Sequence, residues 1–337
     1  MPSPSRPRLR LGYAGPDGCP EPHLSVDGMT PAGPNLSHWP GNRTPPQWRA
    51  DLSTAIALRF ARADAAEQER FLDGAELVLN DHYDTDGFGA LLAVLRPQVA
   101  QAHEELLLAA AATGDFGVWQ TARAFAVDRA IVHLSKPASP QAAAFAAITD
   151  PDELSLRRYA WLLEHADELL GRPETFAPVY ADEMARVQHE IDAGLRGEVD
   201  RRHHRELGVG VVTSQTALHR MTLNTLAGAY RVLHVHAGRD GPRYRYHDRT
   251  ESWFELVTLQ PLPRRDLRPL ARRLAELEPE HDGARWCADP PTEPIPELYF
   301  GVPAAQEYGQ ITRQLVPSRL PAAQVTEALL SFFAPTR

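Results

Sequence analysis

The segment His82-Tyr83-Asp84-Thr85-Asp86-Gly87 places an imidazole and two carboxylates at every second position. On extended backbone, side chains two residues apart share a face, so His82, Asp84 and Asp86 can converge on one point. Hard oxygen donors with one imidazole and no thiolate suit Mn²⁺ or Mg²⁺ better than Zn²⁺. Gly87 lets the chain turn sharply, and a helix starting there aims its first N–H groups at an anion in the same place. A calcium loop beginning at His82 fails twice, since it needs a carboxylate first and a glutamate twelfth, where Ala93 stands. The simpler alternative is an acidic turn in which Asp86 caps the helix, but a cap needs one carboxylate and here three ligating groups cluster. His82, Asp84 and Asp86 are therefore predicted ligands of one or two Mn²⁺ or Mg²⁺ ions.

These side chains need a rigid support. Leu77-Val78-Leu79 reads as a buried parallel strand, and Phe88, Leu91, Leu92 and Leu95 form one face of a helix stopped by Pro97. A second helix runs from about Val99 to Ala112 and ends at Thr113-Gly114-Asp115. Upstream, His23 to Gly28 reads as a short strand closing in a turn, and Asp51 or Ser53 can cap a helix carrying Leu52, Ile56 and Phe60. Strand, turn and helix in this order predict an open sheet with its ligand beyond the carboxyl ends of the strands. Residues 119 to 195 read as helical. The last third predicts strands at Val209 to Val212 and Trp253 to Thr258, a hairpin from Tyr230 to Arg249, and a helix from Asp266 to Glu278. The predicted fold class is α/β: a mainly parallel sheet domain with a helical insert, and a smaller C-terminal α+β domain. Predicted divisions are a Pro/Gly-rich segment at 1–50 with an ordered loop at 36–45, a metal-binding domain at 51–204 and a second domain at 205–337.

Composition narrows the chemistry. With 337 residues, 43% of them hydrophobic, the chain can bury a sizeable core. Cys19 and Cys287 lie far apart and match no metal or disulfide spacing. The single lysine, Lys136, follows Leu134-Ser135 with no glycine-rich approach, which excludes a phosphate-binding P-loop. A formal net charge of −9 argues against a broad duplex nucleic-acid footprint. The Pro-, Ser- and Arg-rich start precedes no apolar run, and no stretch approaches the ~20 apolar residues of a membrane helix. A cytoplasmic protein without a membrane span is expected.

The run His82-x-Asp84-x-Asp86-Gly87 after a hydrophobic strand resembles the first motif of the DHH phosphoesterase superfamily in its H-x-D-x-D-G form. The alternative, a haloacid-dehalogenase-type phosphatase motif, is less similar, because Asp86 is followed by Gly87-Phe88 and not by x-Thr or x-Val. The DHH resemblance implies two manganese ions held between a parallel-sheet domain and a smaller C-terminal domain. It further implies hydrolysis of a phosphodiester or phosphoanhydride, with a small phosphorylated substrate or short single-stranded oligonucleotide as partner. No Asp-His-His follows Gly87; the only His-His pair, His203-His204, stands between arginines and reads as a charged surface. Gly114-Asp115 is similar to a later motif of the superfamily, which implies Asp115 as a fourth ligand. The missing functions could come in altered order from the N-terminal segment, with Asp27 as the strand-end aspartate and His38 as the histidine. His38, with Asn42 and Arg43 in a loop held by Gly41 and Pro45, is expected to orient the phosphate, Arg43 by bidentate contact. His103 lies near an apolar face and reads as an interior histidine, with a ligand role as the lesser alternative; His234 and His236 read as exposed hairpin surface. The whole chain, through Leu36 to Thr44, Asp84 to Gly87 and Glu251-Ser252-Trp253, also resembles a group of bacterial proteins of unknown function. Against the hydrolase stands a degenerate, non-catalytic relative serving as a binding or interaction protein.

Overall fold

The computed structural model describes residues 9–15, 18–303, 306–307, 310–311 and 313–335; the Pro-, Ser- and Arg-rich start at residues 1–8 lies outside them. The described residues group into two units, one within Met1–Ala185 plus Phe254–Gln260, the other within Arg186–Trp253 plus Pro261–Arg337.

The first unit is built on a four-stranded parallel sheet of β1 (Arg10–Tyr13), β2 (His23–Val26), β3 (Asn35–Leu36) and β4 (Leu77–Asn80), in the order β1-β4-β2-β3. Every residue of β2, β3 and β4 is buried, as expected of parallel strands covered on both faces. Register aligns Ser25 with Leu79 and Val26 with Leu36, so the chain leaves β2, β3 and β4 at one level. Three of these strands come from the first fifty residues, and the Pro/Gly-rich stretch is thereby part of the sheet. Around it lie α1 (Ser53–Arg62), α2 (Ala65–Leu72), α3 (Thr85–Leu95), α4 (Pro97–Ala102), α5 (Glu104–Asp115), α6 (Ala122–Val132), α7 (Ala142–Phe145), α8 (Pro151–Glu164) and α9 (Ala166–Gly171), and α10 (Ala181–Leu195) leads out of the unit. Buried throughout most of its length, α3 packs on both α1 and α5. The single helix predicted from Val99 to Ala112 is broken at His103, whose N–H bonds back to Val99 and Ala100 in a tight turn.

The second unit carries a mixed sheet of β5 (Asp200–His204), β6 (Val209–Ser214), β7 (Arg231–Gly238), β8 (Gly241–Asp248), β9 (Arg285–Ala288), β10 (Glu297–Val302) and β13 (Gln314–Leu315), with a two-stranded ladder of β11 (Gln306–Glu307) and β12 (Gln310–Ile311) beside it. Among the described residues, only β6 and β7 pair in parallel in the main sheet. One face packs on α12 (Arg268–Leu277) and α13 (Ala322–Phe333) through Leu233, Tyr246, Leu274, Phe300 and Leu329; the other packs on α11 (Arg220–Ala227) through Val212, Val232 and Leu226. The predicted boundary at residue 205 falls between β5 and β6 of this sheet.

Two further expectations are corrected. Trp253 to Thr258 forms no strand, because its N–H groups are taken by loop acceptors: Glu255 donates to the carbonyl of His38, and Val257 and Thr258 donate to the carboxylate of Asp51. His234 is buried, not exposed, with Nε2 2.8 Å from Ser214 Oγ. Among the described residues no helix is long and apolar enough to cross a membrane.

Candidate metal centre

The centre lies where β2, β3 and β4 end. One residue beyond β2 is Asp27, buried and held at φ 63°, a left-handed conformation that costs a non-glycine residue about 1 kcal/mol or more. Two residues beyond β3 is His38, and two beyond β4 is His82. Asp84 and Asp86 follow at the start of α3, and Asp115 is the last residue of α5. These six side chains form two groups sharing Asp27. One comprises Asp27, His38, Asp86 and Asp115, the other Asp27, His82 and Asp84, with the ligating atoms of each within 4.8 Å of one another. Around an ion bound at about 2.1 Å, adjacent ligands stand roughly 3 Å apart and opposite ones about 4 Å. His38 Nε2 is 3.7 Å from Asp27 Oδ1, 3.7 Å from Asp86 Oδ2 and 3.3 Å from Asp115 Oδ2. His82 Nε2 is 3.1 Å from Asp27 Oδ2 and 3.0 Å from Asp84 Oδ2. These separations lie within the range open to ligands of one ion.

Four of the six side chains are held by a second partner. His38 Nδ1 donates to the backbone carbonyl of Asp51 at 2.7 Å; a carbonyl only accepts, so the proton is on Nδ1 and the Nε2 lone pair faces the acids. His82 Nδ1 donates to Asp81 Oδ1 at 2.8 Å, and the other Asp81 oxygen accepts from the Met29 N–H at 3.0 Å. This carboxylate-histidine pairing fixes the tautomer of metal-binding histidines generally. The helix cap that the simpler alternative gave to Asp86 belongs to Asp84, whose Oδ1 accepts from the Gly87 N–H at 2.8 Å. Asp86 instead receives the N–H groups of Ser53 and Thr54 at 2.7 and 2.8 Å, across the start of α1, where the helix dipole favours its charge. Neither Asp51 nor Ser53 caps that helix with its own side chain.

The turn from β4 is bound by Asn80 and Tyr159. Asn80 Oδ1 accepts from the N–H groups of Asp81 and Gly28, tying two strand ends together. Tyr159 of α8 donates to the carbonyl of His82 and accepts from the Asp84 N–H. Close approach explains two glycines. A Cβ at Gly28 would lie 1.7 Å from Asp81 Oδ1, and one at Gly87 2.1 Å from Asn80 Nδ2. Gly87 is therefore needed for packing, whereas sequence suggested a sharp turn.

Electrostatically the centre is crowded. Burial, reinforced by Asp84 and Asp86, pushes Asp27 up to about 7. Asp115 is raised well above the usual carboxylate range by burial and then by Asp86, Asp84 and Asp27. Burial opposes charge on His82, yet Asp84 and Asp27 draw its pKa well above an ordinary imidazole. Burial likewise opposes charge on Asp84, but His82 and the Gly87 N–H hold its pKa low. Despite this strain both oxygens of Asp27 and Nε2 of His38 are buried without a hydrogen-bond partner, a condition rare for buried polar atoms unless an ion or water completes them.

Three expected site residues lie apart from the cluster. Asn42 Nδ2 donates to Trp39 O and Glu255 Oε2, both at 2.9 Å. Arg43 donates to the carbonyls of Thr30, Ala32 and Gly33, which commits its guanidinium to bracing that loop and not to a bidentate phosphate contact. His103 sits half-buried at the α4–α5 break. The roles of Asp81, Asp51 and Tyr159 escape the sequence: Asp51 acts through its backbone carbonyl, Tyr159 on a turn distant in the chain, and Asp81, though next to His82, carries no spacing signal of its own.

No curated protein and no solved structure matches the chain. A family model does match, over residues 15–337, and takes in every residue of this cluster. The chain thus belongs to the family of unknown function DUF6687.

Proposed function

We propose that the protein is a metal-dependent hydrolase of a phosphodiester or phosphoanhydride, with Asp27, His38, Asp86 and Asp115 holding one divalent cation and Asp27, His82 and Asp84 a second. The observation that carries this is Asp27: a buried carboxylate, in a strained backbone conformation, with neither oxygen hydrogen-bonded and one facing each ligand group. Its position suits a bridging ligand. The four carboxylates of the two groups equal the charge of two divalent cations, and the set of hard oxygens with two imidazoles favours Mn²⁺ or Mg²⁺. When bound, such ions supply Lewis acidity toward a phosphoryl oxygen and lower the pKa of a water toward neutrality.

The residues divide the remaining work. Asp51 and Asp81 hold the Nδ1 protons of His38 and His82, which leaves each Nε2 to a cation once His82, protonated in the metal-free centre, gives up its second proton. Asp86, fixed by the α1 N–H groups, and the buried His38 side chain keep the first group dry. His82 and Asp84, 27% and 32% exposed, face solvent, and that is the side from which a substrate reaches the centre. Trp39 forms a wall there, its ring centroid 4.8 Å from that of His82. The choice of a phosphoryl substrate rests on the H-x-D-x-D-G resemblance to the DHH superfamily.

The test combines metal titration with turnover. Calorimetric titration of metal-free protein is expected to give two equivalents of Mn²⁺, and a panel of bis-p-nitrophenyl phosphate, pyrophosphate, cyclic dinucleotides and short oligonucleotides to give Mn²⁺-dependent hydrolysis of at least one. Asp84→Ala should abolish turnover while circular dichroism stays unchanged. A chain that takes up no Mn²⁺, or an Asp84→Ala variant with full activity, overturns the proposal.

A further inference from the structure

We propose that residues 254–260 form a positioning strap for one of the two ligand groups: Phe254 and Glu255 set the direction of the His38 imidazole and thereby the cation affinity of the Asp27/His38/Asp86/Asp115 group. This rests on the metal reading above and goes beyond it in assigning affinity to a segment that supplies no ligand.

The strap grips His38 from several sides. The Phe254 ring stacks on the imidazole with centroids 3.8 Å apart and planes at 21°. Next to it, the Glu255 N–H donates to the carbonyl of His38 at 2.7 Å. The Glu255 carboxylate accepts from the Gly41 N–H at 2.7 Å and from Asn42 Nδ2 at 2.9 Å, closing the 38–42 loop. Asp51 joins the two segments: its backbone carbonyl accepts the Nδ1 proton of His38, and its carboxylate accepts the Thr258 N–H at 2.9 Å and the Thr258 hydroxyl. The imidazole is thus fixed on its face, at its Nδ1 and at its own backbone, and Nε2 has one direction to point.

The anchors of the strap belong to the elements that hold or carry two of the other three ligands of this group, Asp86 and Asp115. Phe254, Leu256 and Leu259 pack on Leu52, Ala111, Ala112 and Phe116. Leu52 precedes Ser53 and Thr54, whose N–H groups hold Asp86; Phe116 follows Asp115. A tethered aromatic plate therefore registers three ligands against one another. The Asp27/His82/Asp84 group has separate supports in Asp81 and Tyr159.

Outer partners of metal-binding histidines typically change affinity by about 10–100-fold. Titration of the metal-free full chain with Mn²⁺ alone is expected to show that Phe254→Ala weakens one equivalent at least tenfold and leaves the other at wild-type affinity, with Phe254→Tyr restoring both. Glu255→Gln keeps the shape of the loop while removing the charge, and is expected to weaken the same equivalent by a smaller factor. It provides the reading should Phe254→Ala fail to fold. Wild-type protein binding two equivalents while Phe254→Ala and Glu255→Gln bind both unchanged, or lose both together, overturns the strap alone. Wild-type protein binding no Mn²⁺ overturns the metal centre, and the strap with it.

Discussion

Both units bury carboxylates, and those at the strand ends of the first unit are treated unlike those of the second or its own Asp128, which is paired with Arg129. In the second unit Glu278, 3% exposed, accepts from Trp286 Nε1 at 3.2 Å, from Ser318 Oγ and from the Arg319 N–H, and lies 3.1 Å from His281 Nε2. Glu297 there receives Arg245 at 3.0 Å and Arg313 at 3.3 Å, and Glu251 pairs with Arg249. In the first unit the carboxylate of Asp27, 1% exposed, receives no hydrogen bond, and the cations within 4 Å of Asp27, Asp84 and Asp86 among the described residues are histidines. The same chain, rich in arginine, can neutralise a buried acid from its own side chains and does so repeatedly. Where it crowds acids without arginine, histidines are the cations within reach, and that shortfall is what the proposed metal centre would make good.

Several measurements can break or sharpen this contrast. The largest effect is expected from Asp27→Asn, which should reduce metal-dependent turnover to background and remove both Mn²⁺ equivalents in calorimetry, yet leave the melting temperature of the metal-free protein equal or higher. Glu278→Ala should do the reverse in stability, since breaking a satisfied buried network strands its partners. A loss of about 3–5 kcal/mol in denaturant unfolding is expected. If Asp27→Asn destabilises the metal-free chain as strongly as Glu278→Ala, the contrast is false. Next in size, Gly28→Ala drives a methyl group into Asp81 and should weaken Mn²⁺ binding about 10–100-fold through the misplaced His82.

Acidity gives opposite slopes in the two units. Asp27, raised to about 7, makes the folded first unit bind more protons than the unfolded chain between about pH 4 and 7, so its metal-free stability falls as pH rises through that window. His234, lowered to about 4 by burial and then by His236 and Arg245, makes the folded second unit bind fewer protons, so its stability falls as pH drops from about 6.5 toward 4. Hydrogen exchange resolved by unit, followed from pH 4 to 7 without metal, should show protection moving in these two directions. Saturating Mn²⁺ should abolish the first slope and leave the second. The smallest effect is expected for Arg43→Ala, about 1 kcal/mol from lost bonds to loop carbonyls, read as a shift in the unfolding midpoint.

Legibility in the sequence followed the range of each signal. Leu77-Val78-Leu79 and the Phe88/Leu91/Leu92/Leu95 stripe are local patterns, and they emerged as β4 and α3. His82, Asp84 and Asp86 stood out for the same reason, being packed into five residues. Asp27 and His38 could be named only through an analogy of parts, because what unites them with His82 is strand register, which no short window contains. Asp51 was misjudged as a possible cap. Its carboxylate is claimed by Thr258, some two hundred residues away, and its carbonyl, the atom that matters to His38, looks alike in every residue type. Trp253 to Thr258 had the composition of a strand but found single-point acceptors in place of a neighbouring ladder.

The path of the chain through residues 254–260 has a practical consequence for dissecting the molecule. The first unit is discontinuous in sequence, completed by seven residues lying between Trp253 and Pro261. No single proteolytic cut or stop codon can excise it whole. A fragment ending near Ala185 would retain all six clustered acids and imidazoles but lack the aromatic lid on one of them. Such a truncation can be complemented only by supplying 254–260 in trans or by grafting it through a new linker.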